Sequence, residues 1–248
     1  MRREDVALLE ELNFNAWPAL RVVHYDGWLW RSAGRGTRRP NSINPLVRGA
    51  IDLETKIATA ERIYARWGRP TIFRLTPLAE SELDTLLAGR GYVSEGETFV
   101  QVAEVAPLRP DADVRVAPRA EPRWLASASG LKVLSAEDEA AFAVQHRAVG
   151  VETGWAALDY GQETLAVGVV AIERGWAGLH GIQVAEHARR RGLGRRLSEA
   201  LLAYAYDKGA RRAWLQVEQT NAAAIAVYQG CGFATAYSYH YRVWPEQR

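Results

Sequence analysis

The sequence predicts a mixed α/β protein built as two sheet-containing domains with flanking helices. Three observations carry this expectation. Runs rich in β-branched and aromatic residues alternate with amphipathic helical runs. Four of the ten prolines, Pro107, Pro110, Pro118 and Pro122, crowd into one stretch, which marks a break between units. The order helix, glycine, strand, helix, glycine–aromatic occurs twice.

In the first half, ETKIATAERIYARWG reads as a helix, RPTIFRL as a strand, and a second helix ends in AGRGY. In the second half, RRLSEALLAYAYDKG, ARRAWLQV and a helix ending in QGCGF repeat the order. Gly68 and Gly209 stand 141 residues apart, as do Gly91 and Gly232, and Tyr92 and Phe233. An ungapped match of this kind indicates a duplication. The domains are accordingly placed at residues 1–105 and 113–248, with a linker at 106–112. Within the second, DVRVA reads as a strand and PRWLASASG and SAEDEAAFAVQHRAVG as helices. GWAALDY, ETLAVGVVAIE and GLHGIQVA follow as strands. A glycine loop, a helix at 193–208, the strand AWLQVE, a helix at 222–230 and the strand AYSYHYRVW complete the domain.

Composition narrows the function classes. A formal net charge of +2 argues against a nucleic-acid partner, although all but three of the 31 basic residues are arginine. The single cysteine, Cys231, excludes an intrachain disulfide, and no metal site is expected. MRREDVALLEEL lacks the apolar core of a signal peptide, and no apolar run reaches ~18 residues. The expectation is a cytoplasmic protein without a membrane partner, as monomer or homodimer.

The most informative segment is GIQVAEHARRRGLGRRLSEALLAYAYDKG. A strand ending at Val184 runs through Arg189, Arg190, Arg191, Gly192 and Gly194 into a helix whose face is lined by Leu193, Leu197, Leu201 and Tyr204. The first turn of a helix leaves backbone N–H groups unpaired at the positive end of the dipole. Phosphate fits there when no Cβ blocks it, and Gly192 and Gly194 have none. Arg31, Gly34 and Gly36 spell a similar R-x-x-G-x-G. Pro40 and Pro45 follow them, so that stretch reads as a strand end and a turn.

Val184, Arg189, Gly192 and Gly194 fill every named position of V-x-x-x-x-[QR]-x-x-G-x-[GA], the acetyl-CoA signature of the GNAT N-acetyltransferases. The sequence resembles that superfamily; Glu186 stands where many members have proline. Asn221, Ala224, Tyr228, Gly232 and Phe233 resemble its second motif, N-x-x-A-x-x-x-Y-x-x-x-G-F. The resemblance covers roughly residues 112–244. It implies acetyl-CoA as cofactor and direct attack of an amine, small molecule or peptide, on the thioester. It also implies cofactor contacts at Ile182, Val184, Arg189, Arg190, Arg191, Gly192, Leu193, Gly194, Arg195, Asn221 and Tyr228. Tyr228 would protonate the leaving thiolate, since a phenol of pKa ~10 keeps its proton at neutral pH. The Val184 N–H would donate to the thioester carbonyl. The two central strands, GLHGIQVA and AWLQVE, would part to admit the pantetheine arm.

An alkylamine of pKa ~10.4 is almost wholly protonated at pH 7, so a base is useful. His180 is the first candidate, because strand alternation places it on the same face as Val184. Glu218 is second. Glu152 and Asp159 are candidates for an amine site, and Trp155, Trp176, Trp214, Tyr239 and Tyr241 for an acceptor pocket, against the plainer reading of core packing. The positions 141 residues before Gly192, Gly194, Asn221 and Tyr228 are Ile51, Leu53, Glu80 and Leu87. The first half is therefore expected to keep the scaffold without the chemistry. A competing reading is a non-catalytic acyl-CoA-binding regulatory module.

Overall fold

The computed structural model describes residues 1–34, 36–132 and 134–245; the final three residues of the expected 113–248 domain lie outside that set. In chain order the elements are α1 (Arg3–Ala16), β1 (Arg21–Tyr25), β2 (Trp28–Ser32), β3 (Ile43–Pro45), α2 (Leu53–Arg66), β4 (Ile72–Leu75), α3 (Leu83–Gly89) and β5 (Val93–Glu104). There follow β6 (Val114–Ala117), α4 (Pro122–Lys132), α5 (Ala136–Arg147), β7 (Glu152–Tyr160), β8 (Glu163–Glu173) and β9 (Trp176–Val184). The chain continues through α6 (Leu193–Asp207), β10 (Arg212–Glu218), α7 (Ala222–Gly230) and β11 (Ala234–Val243). The mixed α/β class predicted from the sequence is the class observed.

The first compact unit comprises Met1–Thr98 and the chain from Tyr237. Its strands run in the order β1-β2-β3-β4-β11. Asp26 and Gly27 form a two-residue hairpin loop between β1 and β2, both at positive φ, 43° and 82°. Asp-Gly is a preferred pair for such a turn, because its twist matches that of the strands. Trp28, Trp30, Ile43 and Phe73 bury one sheet face against Ile57 and Tyr64 of α2 and Leu83 and Leu87 of α3. A separate polar cluster holds α1 to β4 and β11: buried Glu10 pairs with buried Arg74, and the Tyr237 hydroxyl donates to Glu10 at 2.5 Å. The Arg74 guanidinium lies 3.7 Å from the Tyr239 ring centre. Each buried charge thus has a counter-charge, to which Tyr237 adds a hydrogen bond at Glu10 and Tyr239 a ring face at Arg74.

The second unit comprises Phe99–Ala236. Its strands run β5-β10-β9-β8-β7-β6. Pairing is antiparallel from β6 to β9 and parallel between β9 and β10. Parallel neighbours need a crossover, and α6 supplies it. The predicted apolar stripe of α6 does its packing through Leu193, Leu197 and Leu201, buried against Ala166, Val170, Leu179 and Leu215. Each buried leucine stabilises the fold by about 1.5–3 kcal/mol. The other sheet face carries Trp155, Val167 and Val169 under Trp124 of α4 and Phe142 of α5.

The repeat holds at the level of whole elements. Shifting α2, β4, α3 and β5 by 141 residues lands on α6, β10, α7 and β11. Gly68 and Gly209 both have positive φ, 63° and 90°, and so do Gly91 and Gly232, 94° and 86°. β3 pairs parallel to β4 as β9 does to β10. The compact units nevertheless differ from the sequence halves. Residues 106–112 lie within the second unit, and the chain from Tyr237 belongs to the first because β11 pairs with β4, from His240↔Leu75 to Val243↔Ile72. A proline-rich break is local, whereas that pairing joins segments far apart in sequence.

Candidate active site

β9 and β10 are hydrogen-bonded only over their first halves. The parallel register runs from Arg212↔Trp176 to Leu215↔Leu179 and then stops. Beyond it β9 continues through His180–Val184 and β10 through Gln216–Glu218, and Gly181, Ile182, Gln183 and Val184 are half-buried. The end of pairing falls within the two strands that the resemblance expects to part. Where the strands still pair they are held tightly: a Cβ on Gly178 would stand 2.6 Å from the Trp214 ring.

A bulge lies at the parting. Val169 pairs with His180 and Val167 with Gln183, so Gly181 and Ile182 together oppose Gly168. Gly181 has φ +58°, a conformation natural to glycine in a bulge. One extra residue reverses the alternation, so His180 and Val184 face opposite sides of the sheet, not the same side as predicted. Val184 and Ile182 pack on the α6 face. His180 is buried on the other face, its ring 4.9 Å from that of Trp214. Glu218 alternates with Val217, which packs on the α6 face, so Glu218 shares the His180 side; it is exposed. An isolated glycine inside a strand pattern is the sequence cue for this bulge.

The Ala185 N–H donates to Leu165 O of β8 at 2.8 Å. Successive strand amides point to opposite edges, so the Val184 N–H points to the edge where β10 departs. The chain then makes a 3-10 turn, Glu186–Ala188, and passes Arg190 at φ +62° and Gly192 at φ +77° before α6 begins. The Arg196 N–H closes the first turn on Gly192 O at 3.1 Å, so the amides of Leu193, Gly194 and Arg195 precede the first intrahelical bond. A Cβ on Gly192 would meet nothing within 4 Å, and one on Gly194 only Val184 Cγ2 at 3.8 Å. The helix end is therefore sterically open. Leu193 is buried, leaving only its backbone available there, while Arg189, Arg190, Arg191 and Arg195 are exposed; Arg195 pairs with Glu199 at 2.8 Å.

Asn221 caps α7, its side chain accepting the Ala224 N–H at 3.1 Å. Tyr228 is half-buried on α7, at the edge of the core, with its ring edge-on to Phe233 at 6.0 Å. The other candidates disperse. Trp155 and Trp214 are core residues of the second unit, and Tyr239 and Tyr241 are buried in the first. The Trp176 ring lies 5.4 Å from the Arg212 guanidinium. Glu152 pairs with Lys208 at 3.0 Å, and Asp159 with Arg123 at 3.6 Å. Among the described residues no group of three or more His, Cys, Asp or Glu could hold a metal ion, and no helix is long and apolar enough to cross a membrane.

The corresponding loop of the first unit, between β3 and α2, is occupied by the chain itself. The Asp26 carboxylate accepts the N–H groups of Ala50 at 2.9 Å and Ile51 at 2.8 Å. These bonds hold the Asp26 carboxyl below its usual pKa. Buried Lys56 of α2 approaches the same carboxylate at 3.3 Å and donates to Asp26 O at 2.7 Å. Asp52 caps the helix, accepting the Thr55 N–H at 2.9 Å. Among the described residues no helix follows Gly34 and Gly36 before α2, as the prolines predict.

The family described as probable histone acetyltransferase Rv0428c, C-terminal, matches residues 4–242. The chain is 29% identical over 251 residues to an uncharacterized N-acetyltransferase, YobR, of Bacillus subtilis, covering 97% of this chain and 99% of that one. The fold is similar to that of a GCN5-related N-acetyltransferase from Kribbella flavida, with TM-score 0.71 and 17% identity over 99% of this chain and 95% of that one. It is also similar to a tandem GNAT protein from the clavulanic acid biosynthesis pathway, with TM-score 0.58 and 16% identity over 78% and 70% of the two chains.

Proposed function

The chain belongs to the Rv0428c C-terminal acetyltransferase family, and thereby to the GNAT N-acetyltransferases, and we propose that its second unit transfers acetyl from acetyl-CoA to an amine. The observation that carries this reading is the conjunction of parted strands β9 and β10 with a sterically open α6 N-terminus reached directly from β9.

The diphosphate of the coenzyme would rest on the amides of Gly192, Leu193, Gly194 and Arg195, with the exposed Arg189, Arg190, Arg191 and Arg195 as countercharge. The arm would run along the free edge of β9 past Ile182, and the Val184 N–H would donate to the thioester carbonyl oxygen as negative charge develops there. The neutral amine nitrogen would bond to the carbonyl carbon and lose its surplus proton to the base, directly or through water, as the carbon–sulfur bond breaks. Tyr228 would give its hydroxyl proton to the departing sulfur and regain one from solvent. Asn221 would act by capping α7 and so fixing the helix that carries Tyr228.

Both base candidates face away from α6, so the acceptor would approach from the sheet side opposite the coenzyme. Glu218 is the stronger of the two, since its carboxylate is exposed at the parting while His180 is buried against Trp214. The first unit would serve as scaffold: the amides of its corresponding loop already bind Asp26. The proposed acceptor is the amine of a small molecule or a peptide, and the family is named for a probable histone acetyltransferase.

The test is calorimetric titration with coenzyme A, followed by a screen of small-molecule and peptide amines with acetyl-CoA read by thiol release. The expected result is one coenzyme per chain and turnover with at least one amine. Binding without turnover points to an acyl-CoA-binding regulatory module; absence of binding overturns the proposal.

A further inference from the structure

Arg196 stands in the first turn of α6, and two carboxylates engage its guanidinium. Nε donates to Asp111 Oδ2 at 2.7 Å and Nη2 to Asp111 Oδ1 at 2.9 Å, a two-pronged contact that fixes both planes. Nη2 also donates to Asp113 Oδ2 at 2.6 Å. The acidic side is fixed in turn. Asp111 Oδ1 accepts the Asp113 N–H at 3.0 Å, and Asp111 O accepts the Val114 N–H at 3.1 Å. Val114 opens β6, which pairs with β7 at Leu158. The end of the proline-rich connection is thereby fastened to the sheet on one side and to α6 on the other.

The loop at the start of α6 needs such a restraint. It contains an arginine and a glycine, Arg190 and Gly192, in left-handed conformations. A non-glycine residue at positive φ persists only where its surroundings over-determine it. The Arg196 backbone restrains Gly192 through its carbonyl, and the Arg196 side chain transmits the position of β6 to that same turn. Two carboxylates against one guanidinium leave excess negative charge one turn from the proposed diphosphate site, where charge alone would oppose an anion.

We propose that the Asp111–Asp113–Arg196 clamp holds the first turn of α6 in the orientation that presents its amides to the coenzyme, so that Asp111 and Arg196 are positioning residues for binding. The proposal rests on the reading of α6 as the coenzyme site.

The variants are Asp111→Asn with Asp113→Asn, which keeps shape while removing two negative charges, and Arg196→Lys, which keeps charge while losing the two-pronged contact. Coenzyme A affinity is measured by calorimetry on the full chain, KM for acetyl-CoA and kcat by thiol release, and folding by thermal melts. Both variants are expected to weaken coenzyme binding about tenfold and to raise KM by more than they lower kcat. Unchanged or tighter binding in the double asparagine variant overturns the proposal, because the carboxylates would then act through charge alone. If that variant does not fold, wild-type affinity in Arg196→Lys overturns it equally. A wild-type chain that ignores coenzyme A overturns the underlying reading instead, and the two failures are separated by that control.

Discussion

The Asp26 carboxylate accepts the Ile51 N–H at 2.8 Å, and Ile51 is the repeat counterpart of Gly192. An acid from the β1–β2 turn thus sits where the second unit has an open, glycine-bounded helix entry. Asp26→Ala should leave buried Lys56 with Glu80 as its nearest acid, at 3.7 Å, and lower Tm by roughly 5 °C or more. Adding Lys56→Met should recover part of the loss. Coenzyme stoichiometry should stay at one per chain, measured by calorimetry; two per chain would show that the first unit retains a site of its own.

The two loop glycines should separate by mechanism. Gly192 has room for a side chain but an unfavourable φ, so Gly192→Ala should cost about 1–2 kcal/mol and weaken coenzyme binding. Gly194 has room at a helical position where the motif also admits alanine, so Gly194→Ala should keep binding and gain up to about 1 kcal/mol of stability. Thermal melts and calorimetry on the pair check both halves. Equal losses at the two positions would contradict the conformational reading of Gly192.

Tyr228→Phe removes one hydroxyl from a ring whose packing against the core is otherwise kept. Turnover should fall by roughly a hundredfold, a usual size for a lost general acid, with coenzyme affinity nearly intact. Steady-state kinetics and calorimetry together decide it. An unaltered kcat would remove the acid role.

His146 should set part of the acid limit of stability. Burial lowers its pKa to about 4, and its Nδ1 lies 2.8 Å from Phe142 O. A histidine depressed from 6.5 is held neutral in the fold, so its contribution is complete above pH 6.5 and shrinks as pH falls toward 4. The loss by pH 4 is about 3 kcal/mol, the equivalent of a shift of roughly two and a half units. Denaturation at pH 7 and pH 4, compared with His146→Gln, measures it; parallel pH dependences in the two proteins would refute the assignment.

Local features were legible because their physics is local. The apolar spacing of Leu193, Leu197 and Leu201, the glycines flanking α6 and the glycines that close the helices of each repeat all depend on residues within a few turns of chain. So did the failure of Gly34 and Gly36 to open a helix, which the following prolines dictated. The reading of His180 and Val184 as neighbours on one face assumed an unbroken strand, and the bulge at Gly181 broke it.

The amino-acid sequence alone determined the element order, the duplication, and a glycine-bounded helix entry in one half that the other half lacks. Only the tertiary structure decided that β11 joins the first unit, that His180 faces away from Val184, that Asp26 fills the first unit's loop, and that Arg196 is tied to Asp111. Propensity and spacing act within a few residues, whereas strand pairing and ion pairing are chosen among distant segments by the geometry that buries the most surface while leaving charges partnered.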